Sequence, residues 1–296
     1  MIGVISYLPD NDLRTKRFAA VCKQIEWLYT IFGSSKAIVV AQNYRDYECS
    51  RTDVEYIRYP VGIGAGKARN VILNKFYNSD EDWLFLCDDD TVAYEYYNYR
   101  EFIWEIMSND EKFSMIDAVS AVEPEYHPYK KLNYEDKANL THYKFEPREL
   151  NSGSATSIIR NIKKYRGKEI YYPNTDASKG EGREDVEFLL EWLLAGLNWY
   201  TMDTWIRKSL CFDQSSIFGK DTKARDKLLM HDLDIVCDKY KEYGLQRQTN
   251  GKITWGNFNK DYNKSEKILY IKRNTDIEFD ENTTPKEKKD NCIKLF

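Results

Sequence analysis

Apolar positions in the first half of the chain switch repeatedly between two periods. Residues 2–7 form a continuous apolar run that predicts a strand, closed by the turn Pro9-Asp10-Asn11-Asp12. Between 14 and 31, Phe18, Val21, Cys22, Ile25 and Leu28 recur at three- and four-residue spacing, which predicts a helix stopped by Gly33. Residues 36–41 and 54–59 read as strands rich in β-branched side chains. Residues 62–66, Gly-Ile-Gly-Ala-Gly, read as a flexible loop, 67–77 as a helix and 83–87 as a strand. A helix over 100–107 and a strand over 118–122 continue the series. Such alternation predicts an α/β fold, a mainly parallel sheet with helices on both faces.

The remainder is less regular. Residues 123–150 are rich in Tyr, Lys, Glu and Pro and read as a long surface excursion of the kind that serves as a lid. Residues 154–159 are strand-like, and 174–183 are polar with Gly180 and Gly182. An amphipathic helix over 184–194 ends at Gly196, and a strand covers 199–206. Beyond about 211 the style changes to a charged helix over 222–243, an aromatic and basic stretch over 251–271, and a tail of some twenty residues. The expected organisation is therefore a catalytic-type α/β domain over 1–210 and a helical, aromatic-basic extension over 211–296.

Composition narrows the class. In 296 residues, 42% hydrophobic and 31% charged positions specify a globular chain. The net charge of -4 argues against a uniformly basic nucleic-acid coat but allows a local basic face. No apolar run reaches the roughly 20 residues of a membrane span. The N-terminus has no basic leader and reads as a first strand, not a signal peptide. The six cysteines are scattered, with no Cys-x-x-Cys pair, which suits reduced thiols in a cytoplasmic protein and no zinc site.

Three groups of residues carry candidate chemistry. The strand at 83–87 ends in Asp88, Asp89 and Asp90. Carboxylates that close repel one another unless a cation sits among them, and hard oxygen ligands suit Mg²⁺ or Mn²⁺. An acidic loop capping a strand is the plainer alternative. The loop Gly62-x-Gly64-x-Gly66-Lys67 fits neither the phosphate loop, which needs Ser or Thr after the lysine, nor the dinucleotide fingerprint, whose third glycine is here Lys67. What remains is Lys67, Arg69 and Asn70 at a helix N-terminus, either an anion cradle or an ordinary strand–helix turn. Glu184 and Asp185 open a helix, where acids favour the helix dipole and where a carboxylate is also suited to act as general base.

In this order and spacing, Gly66-x-x-Arg69-Asn70, Asp88-Asp89-Asp90 and Glu184-Asp185 resemble the motifs of GT-A glycosyltransferases, especially the inverting family 2 group, over about residues 1–210. The resemblance implies a Rossmann-like GT-A fold, a nucleotide-sugar donor such as a UDP-sugar, and Mn²⁺ or Mg²⁺. It implies that Gly66, Lys67, Arg69 and Asn70 line the donor site, with Asp88 and Asp89 near the ribose and sugar. Asp90, with Asp88, would hold the metal, and Asp185, beside Glu184, would be the base. Tyr7, Leu8, Pro9 and Gln42 lie at strand ends where such enzymes hold the nucleoside. The chain departs from the processive synthases in having no Gln-x-x-Arg-Trp motif. His231, the only late histidine, reads as an ordinary helix residue.

Residues 244–274 carry seven cations against two acids, a balance of +5, interleaved with Trp255, Phe258, Tyr262 and Tyr270. That pattern suits a phosphate backbone and exposed bases, or equally a solvated hairpin with its aromatics turned inward. The stretch 160–166, with Arg160, Lys163, Lys164 and Arg166, is placed to extend such a surface. The compact chain, rich in Lys, Asn and Tyr, also resembles the GT-A enzymes that phages use on their own DNA, which implies a hydroxymethylated pyrimidine in double-stranded DNA as acceptor and the host cytoplasm as location. Two alternatives stand beside it: transfer to a glycan, lipid headgroup or protein, and a metal-dependent nuclease or nucleic-acid-binding module.

Overall fold

The computed structural model describes residues 1–32, 36–89, 91–95, 105–122, 142–147, 156–173, 184–209, 222–247, 253–254, 269–272 and 292–294. The N-terminal half runs β1 (Ile2–Tyr7), α1 (Leu13–Phe32), β2 (Ala37–Gln42), β3 (Val54–Tyr59), α2 (Ala65–Tyr77) and β4 (Trp83–Asp88). These four strands are parallel and lie in the order β3-β2-β1-β4. Their side chains alternate between two cores. Ile2, Val4, Val39 and Phe85 pack with Val21, Ile25 and Leu28 of α1. Ile5, Ile38, Val40, Leu84 and Leu86 pack with Ala68, Ile72 and Phe76 of α2. The expected α/β architecture, a Rossmann-like parallel sheet flanked by helices, is present.

The sheet continues beyond β4 in mixed directions. β5 (Thr91–Glu95), β6 (Ala118–Val122), β7 (His142–Pro147), β8 (Ser157–Arg160) and β9 (Trp199–Ser209) complete the order β4-β8-β6-β9-β7, with β5 antiparallel to the far end of β9. Two short helices, α3 (Ile162–Arg166) and α4 (Glu184–Leu194), precede β9. α5 (Thr222–Lys239) follows it and lends Leu233 and Val236 to the α2-side core. β10 (Gln246–Arg247) and β11 (Ile253–Thr254) form a separate ribbon, while β12 (Leu269–Lys272) and β13 (Cys292–Lys294) join the main sheet on β7 and β5.

Three expectations are corrected here. Residues 142–147 are a sheet strand rather than part of a surface excursion, because Phe145 inserts fully into the core between Phe113 and Tyr200. Residues 292–294 pair with β5 rather than forming part of a tail. The stretch 160–166 does not present a free cationic surface. Arg160 is buried and bonds Asp110 and the carbonyls of Phe113 and Ile116, while Lys163, Lys164 and Arg166 pair with Glu169, Asp82 and Asp117. It also lies at the start of β4, since Arg160 is in register with Trp83, so it occupies the opposite sheet edge from Asp88.

Close packing of α2 on β1 depends on Gly3. A Cβ at that position would lie 2.5 Å from Ile72 Cγ2. Gly3→Ala is expected to cost about 1–3 kcal/mol, the usual penalty of overpacking. The same change should cost less in an Ile72→Ala background, where the atom at 2.5 Å is gone and Leu84 Cδ1, at 3.2 Å, is the remaining close neighbour. Urea denaturation of the four proteins in this cycle measures the coupling, and equal costs in both backgrounds would refute the packing account.

Candidate active site

β1, β2, β3 and β4 all run the same way, so Tyr7, Gln42, Tyr59 and Asp88 end at one edge. The chain steps outward from β1 through β2 to β3, then returns to β4 on the other side of β1. That reversal opens a crevice at the carboxyl ends of β1 and β4, the position where open α/β sheets bind ligands.

Strand alternation decides what each acid of the β4 end meets. Asp88 shares the parity of Leu84 and Leu86 and so faces α2. There Arg69 Nη2 lies 3.0 Å from both of its oxygens. Arg69 Nη1 donates to Glu184 Oε1 at 2.7 Å, so one guanidinium joins the end of β4 to the start of α4. Arg69 is only 3% exposed. Burial opposes its charge, but Asp88, Tyr172 and Glu184 outweigh it and hold the guanidinium above its ordinary pKa. Burial pushes the Glu184 carboxyl up; Arg69 pulls it down, and Asp185 adds to the rise.

Asp89 shares the parity of Phe85 and Cys87 and faces α1. It is 5% exposed, and its oxygens accept from Ser6 Oγ at 2.8 Å, from Tyr7 N at 2.9 Å and from Arg17 Nη1 at 3.0 Å. Tyr44 donates to Ser6 Oγ at 2.7 Å and extends the chain; burial raises its phenol well above the ordinary value. A ligand reaching the Asp89 carboxylate would have to break this network. Two residues further on, the Thr91 carbonyl accepts from Gln24 of α1 at 2.8 Å. The positions on both sides of Asp90 are therefore tied to α1, and Asp90 itself lies outside the described residues.

The remaining expected residues divide into supports and accessible groups. Asn70 exchanges two 2.7 Å hydrogen bonds with the backbone of Tyr172, pinning that segment to α2. Tyr172 stacks on Phe188 of α4 with centroids 3.9 Å apart and lies 5.1 Å from the Arg69 guanidinium. α4, and with it Glu184 and Asp185, is thereby oriented. Gly66 lies against Glu184 and Pro173, where a Cβ would make only ordinary van der Waals contacts of 3.4–3.5 Å. Gln42 is buried and accepts from Ile63 N at 2.7 Å, fixing the glycine loop. Gly64 caps α2 at φ 87°, ψ 153°, a conformation essentially reserved for glycine. Leu8 is fully buried, Pro9 is partly exposed, and the Tyr7 ring lies against Gly62. Lys67 is exposed in the first turn of α2, and no carboxylate among the described residues pairs with it. Asp185 is partly exposed and accepts from Val186 N at 2.9 Å. His231 is exposed on α5.

Chemically, the crevice offers anion-binding N–H groups and a free lysine at α2, with carboxylates at Asp88 and Asp185. Asp88 keeps unused lone pairs and a side chain 19% exposed, which suits a hard divalent cation that takes further oxygens from phosphate and water. Among the described residues no group of three His, Cys, Asp or Glu side chains is placed to hold a metal. Ser6, Arg14, Arg17, Tyr44 and Glu48 belong to none of the sequence motifs. The signal available was a pair of arginines three apart in the first turns of α1, where the helix dipole disfavours cations.

Asp89→Asn should destabilise the protein by about 3–5 kcal/mol, because it removes a buried counter-charge from Arg17. Guanidinium denaturation with an unchanged slope would measure it, and a loss below about 1 kcal/mol would rule out the inward network as an anchor.

No family model and no curated protein matches the chain. Among solved structures, the chain is similar to GalNAc-T7 crystallised with UDP, GalNAc and Mn²⁺, at 12% identity and a TM-score of 0.41, over 70% of this chain and 43% of that one. It is similar to a protein from Desulfovibrio desulfuricans G20 described as a nucleotide-diphospho-sugar transferase, at 10% identity and a TM-score of 0.40, over 78% and 97%. A197 from STIV matches at 13% and a TM-score of 0.35, over 70% and 84%. These scores lie below the level that establishes a shared fold.

Proposed function

We propose that the protein is a GT-A glycosyltransferase that moves a sugar from a nucleotide-sugar, a UDP-sugar by preference, to an acceptor hydroxyl. The observation that carries this reading is the convergence at one crevice of Asp88, the open first turn of α2 and the Glu184–Asp185 start of α4, joined through Arg69. The nucleoside is assigned to the ends of β1 and β2, beside Tyr7, Pro9 and the Gln42-held loop. The diphosphate is assigned to the α2 N-terminus and Lys67. Arg69, already committed to two carboxylates, acts on it only at longer range.

Transfer breaks the bond between the sugar's anomeric carbon and the diphosphate oxygen and forms one to the acceptor oxygen. The acceptor proton passes to a carboxylate, and nucleoside diphosphate leaves with the electron pair. Glu184 is held by Arg69, so Asp185 is the carboxylate assigned as base. Attack from the face opposite the leaving group inverts the anomeric centre. A divalent cation held by Asp88 and Asp90 would offset charge on the leaving diphosphate.

For the acceptor we propose a hydroxymethylated pyrimidine in double-stranded DNA, supported by the +5 balance and interleaved aromatics of residues 244–274. Most of that stretch lies outside the described residues; within it, Arg247 is paired with Asp234.

The direct test is nucleoside diphosphate release from a panel of nucleotide-sugars with Mn²⁺, with hydroxymethylated DNA or glycans as acceptor. Release from one donor, stimulated by that DNA and abolished by chelation, is the expected result. Stimulation by glycans alone would replace the acceptor, and silence across the panel would overturn the enzyme class. Asp185→Asn should lower turnover by about 10²–10⁴-fold while leaving nucleotide affinity intact. Full activity in that variant would remove Asp185 from the mechanism.

A further inference from the structure

We propose that Arg14 and Glu48 are positioning residues that build the nucleoside wall of the crevice. The inference rests on the nucleotide-sugar reading above and assigns a role to residues outside its motifs.

Arg14 occupies the first turn of α1, where the helix dipole opposes a cation, and its side chain is 8% exposed. Burial at such a position requires compensation from elsewhere. All five of its N–H groups are used. Nε and Nη2 grip the two oxygens of Glu48 at 2.8 and 2.6 Å. Nη1 donates to the Leu8 carbonyl at 3.1 Å and to Asp10 at 3.0 Å, and Nη2 to the Asn43 carbonyl at 2.7 Å. Burial pushes the Glu48 carboxyl up, but Arg14 and the Arg45 N–H together hold it below the ordinary carboxylate value.

These partners belong to the two loops that leave the carboxyl ends of β1 and β2. Asn43 adopts φ 58° and adds two more ties between them, from its amide to the Leu8 carbonyl at 2.8 Å and to Asp10 at 3.2 Å. The Gln42 carbonyl accepts from Leu8 N at 3.2 Å, while its side chain holds the glycine loop at Ile63. Three loops are thus fixed in sequence, and the guanidinium of Arg14 is the only group bonded to both of the first two and to Glu48 at once among the described residues. An exposed, rim-forming ion pair would tolerate Lys; a five-donor fork would not.

The experiment titrates nucleoside mono- and diphosphates of the common bases, with Mn²⁺, into the wild-type protein, Arg14→Lys, Glu48→Gln and Arg160→Lys by calorimetry, with a thermal melt of each. Arg160→Lys is the control, an equally buried, multiply bonded arginine at the opposite sheet edge. Arg14→Lys is expected to weaken binding about tenfold or more, equally for mono- and diphosphate, because the lesion lies at the nucleoside end. Glu48→Gln should do the same and carries the test if Arg14→Lys does not fold. Arg160→Lys should melt lower and bind as the wild type does. Unchanged affinity in the folded Arg14 and Glu48 variants overturns the positioning role. So does an equal loss in Arg160→Lys, which would reduce the effect to general destabilisation. A wild-type protein that binds none of the nucleotides overturns the nucleotide reading, and the wall with it.

Discussion

The buried guanidinium of Arg69 is the constraint around which the crevice is arranged. It joins Asp88, at the end of a strand, to Glu184 at the start of a helix, 115 residues along the chain from Arg69 itself. Two carboxylates brought that close without a cation would repel and raise one another's pKa. Removing the arginine would leave two acids in a poorly solvated space; removing either acid would leave a cation in the same trouble. Such a pair contributes little net stability but discriminates strongly among arrangements, since any shift of α4 along the sheet separates charges that water cannot reach. The aromatic stack of Tyr172 on Phe188 fixes the same register by packing, and the Asn70 bridge fixes it by backbone hydrogen bonds. Three different forces therefore agree on where α4 begins.

How this geometry arises is largely a matter of topology. Parallel strands deliver their carboxyl ends to one edge, and the reversal between β1 and β4 leaves that edge open at one place. The two faces of β4 then face different helices. Consecutive residues Asp88 and Asp89 point to opposite sides, one to Arg69 of α2 and the other to Arg17 of α1. The acidic turn is thus gripped from both faces of the sheet. Ser6, on the same side of β1 as Val4, reaches Asp89, whereas Tyr7 turns its ring to the glycine loop. A period of two, continued one residue past the strand, explains which acid is inward and which faces the crevice.

That same period was available in the sequence, and it separates what was legible from what was not. Residues 54–59 and 184–194 were readable in full because β-branched runs and helical spacing are local signals. β7 and β13 were not, because neither has a local pattern strong enough to outweigh its charged neighbours; each is a strand only through partners distant in sequence. The glycine pattern predicts a loop two residues longer than the one present, since Ala65 and Gly66 already belong to α2 and the positive φ of Gly64 marks the boundary. The residue types and their order point to Asp88, Arg69, Glu184 and Asp185, of which Arg69 bonds Asp88 and Glu184. The pairing of Arg69 with two of them was not legible, because a motif records which groups are present and not which are already spent on one another. Arg14, Arg17 and Glu48 belong to no motif, and their partners are fixed only when β1, β2 and β4 come together.

The arginines at the start of α1 and the pair Lys67 and Arg69 at the start of α2 pose one further physical question. A helix N-terminus carries partial positive charge and disfavours cations by a few tenths of a kcal/mol to about 1 kcal/mol each. Both helices that flank the crevice nonetheless begin with basic residues, Arg14, Lys16 and Arg17 in α1 and Lys67 and Arg69 in α2, and have no acid in the first turn. The strand ends and loops explain the tolerance for the three buried arginines. Asp89 offsets Arg17, Asp88 and Glu184 offset Arg69, and Glu48 with Asp10 offsets Arg14. Lys67 has no such partner among the described residues and stays in solvent, adding its charge to that of the helix end rather than cancelling it. A fold that neutralises the buried arginines near the crevice, yet leaves Lys67 exposed at the open terminus of α2, retains positive potential where an anionic ligand would meet free backbone N–H groups. The local charge balance therefore points the same way as the topology, although the chain as a whole is acidic.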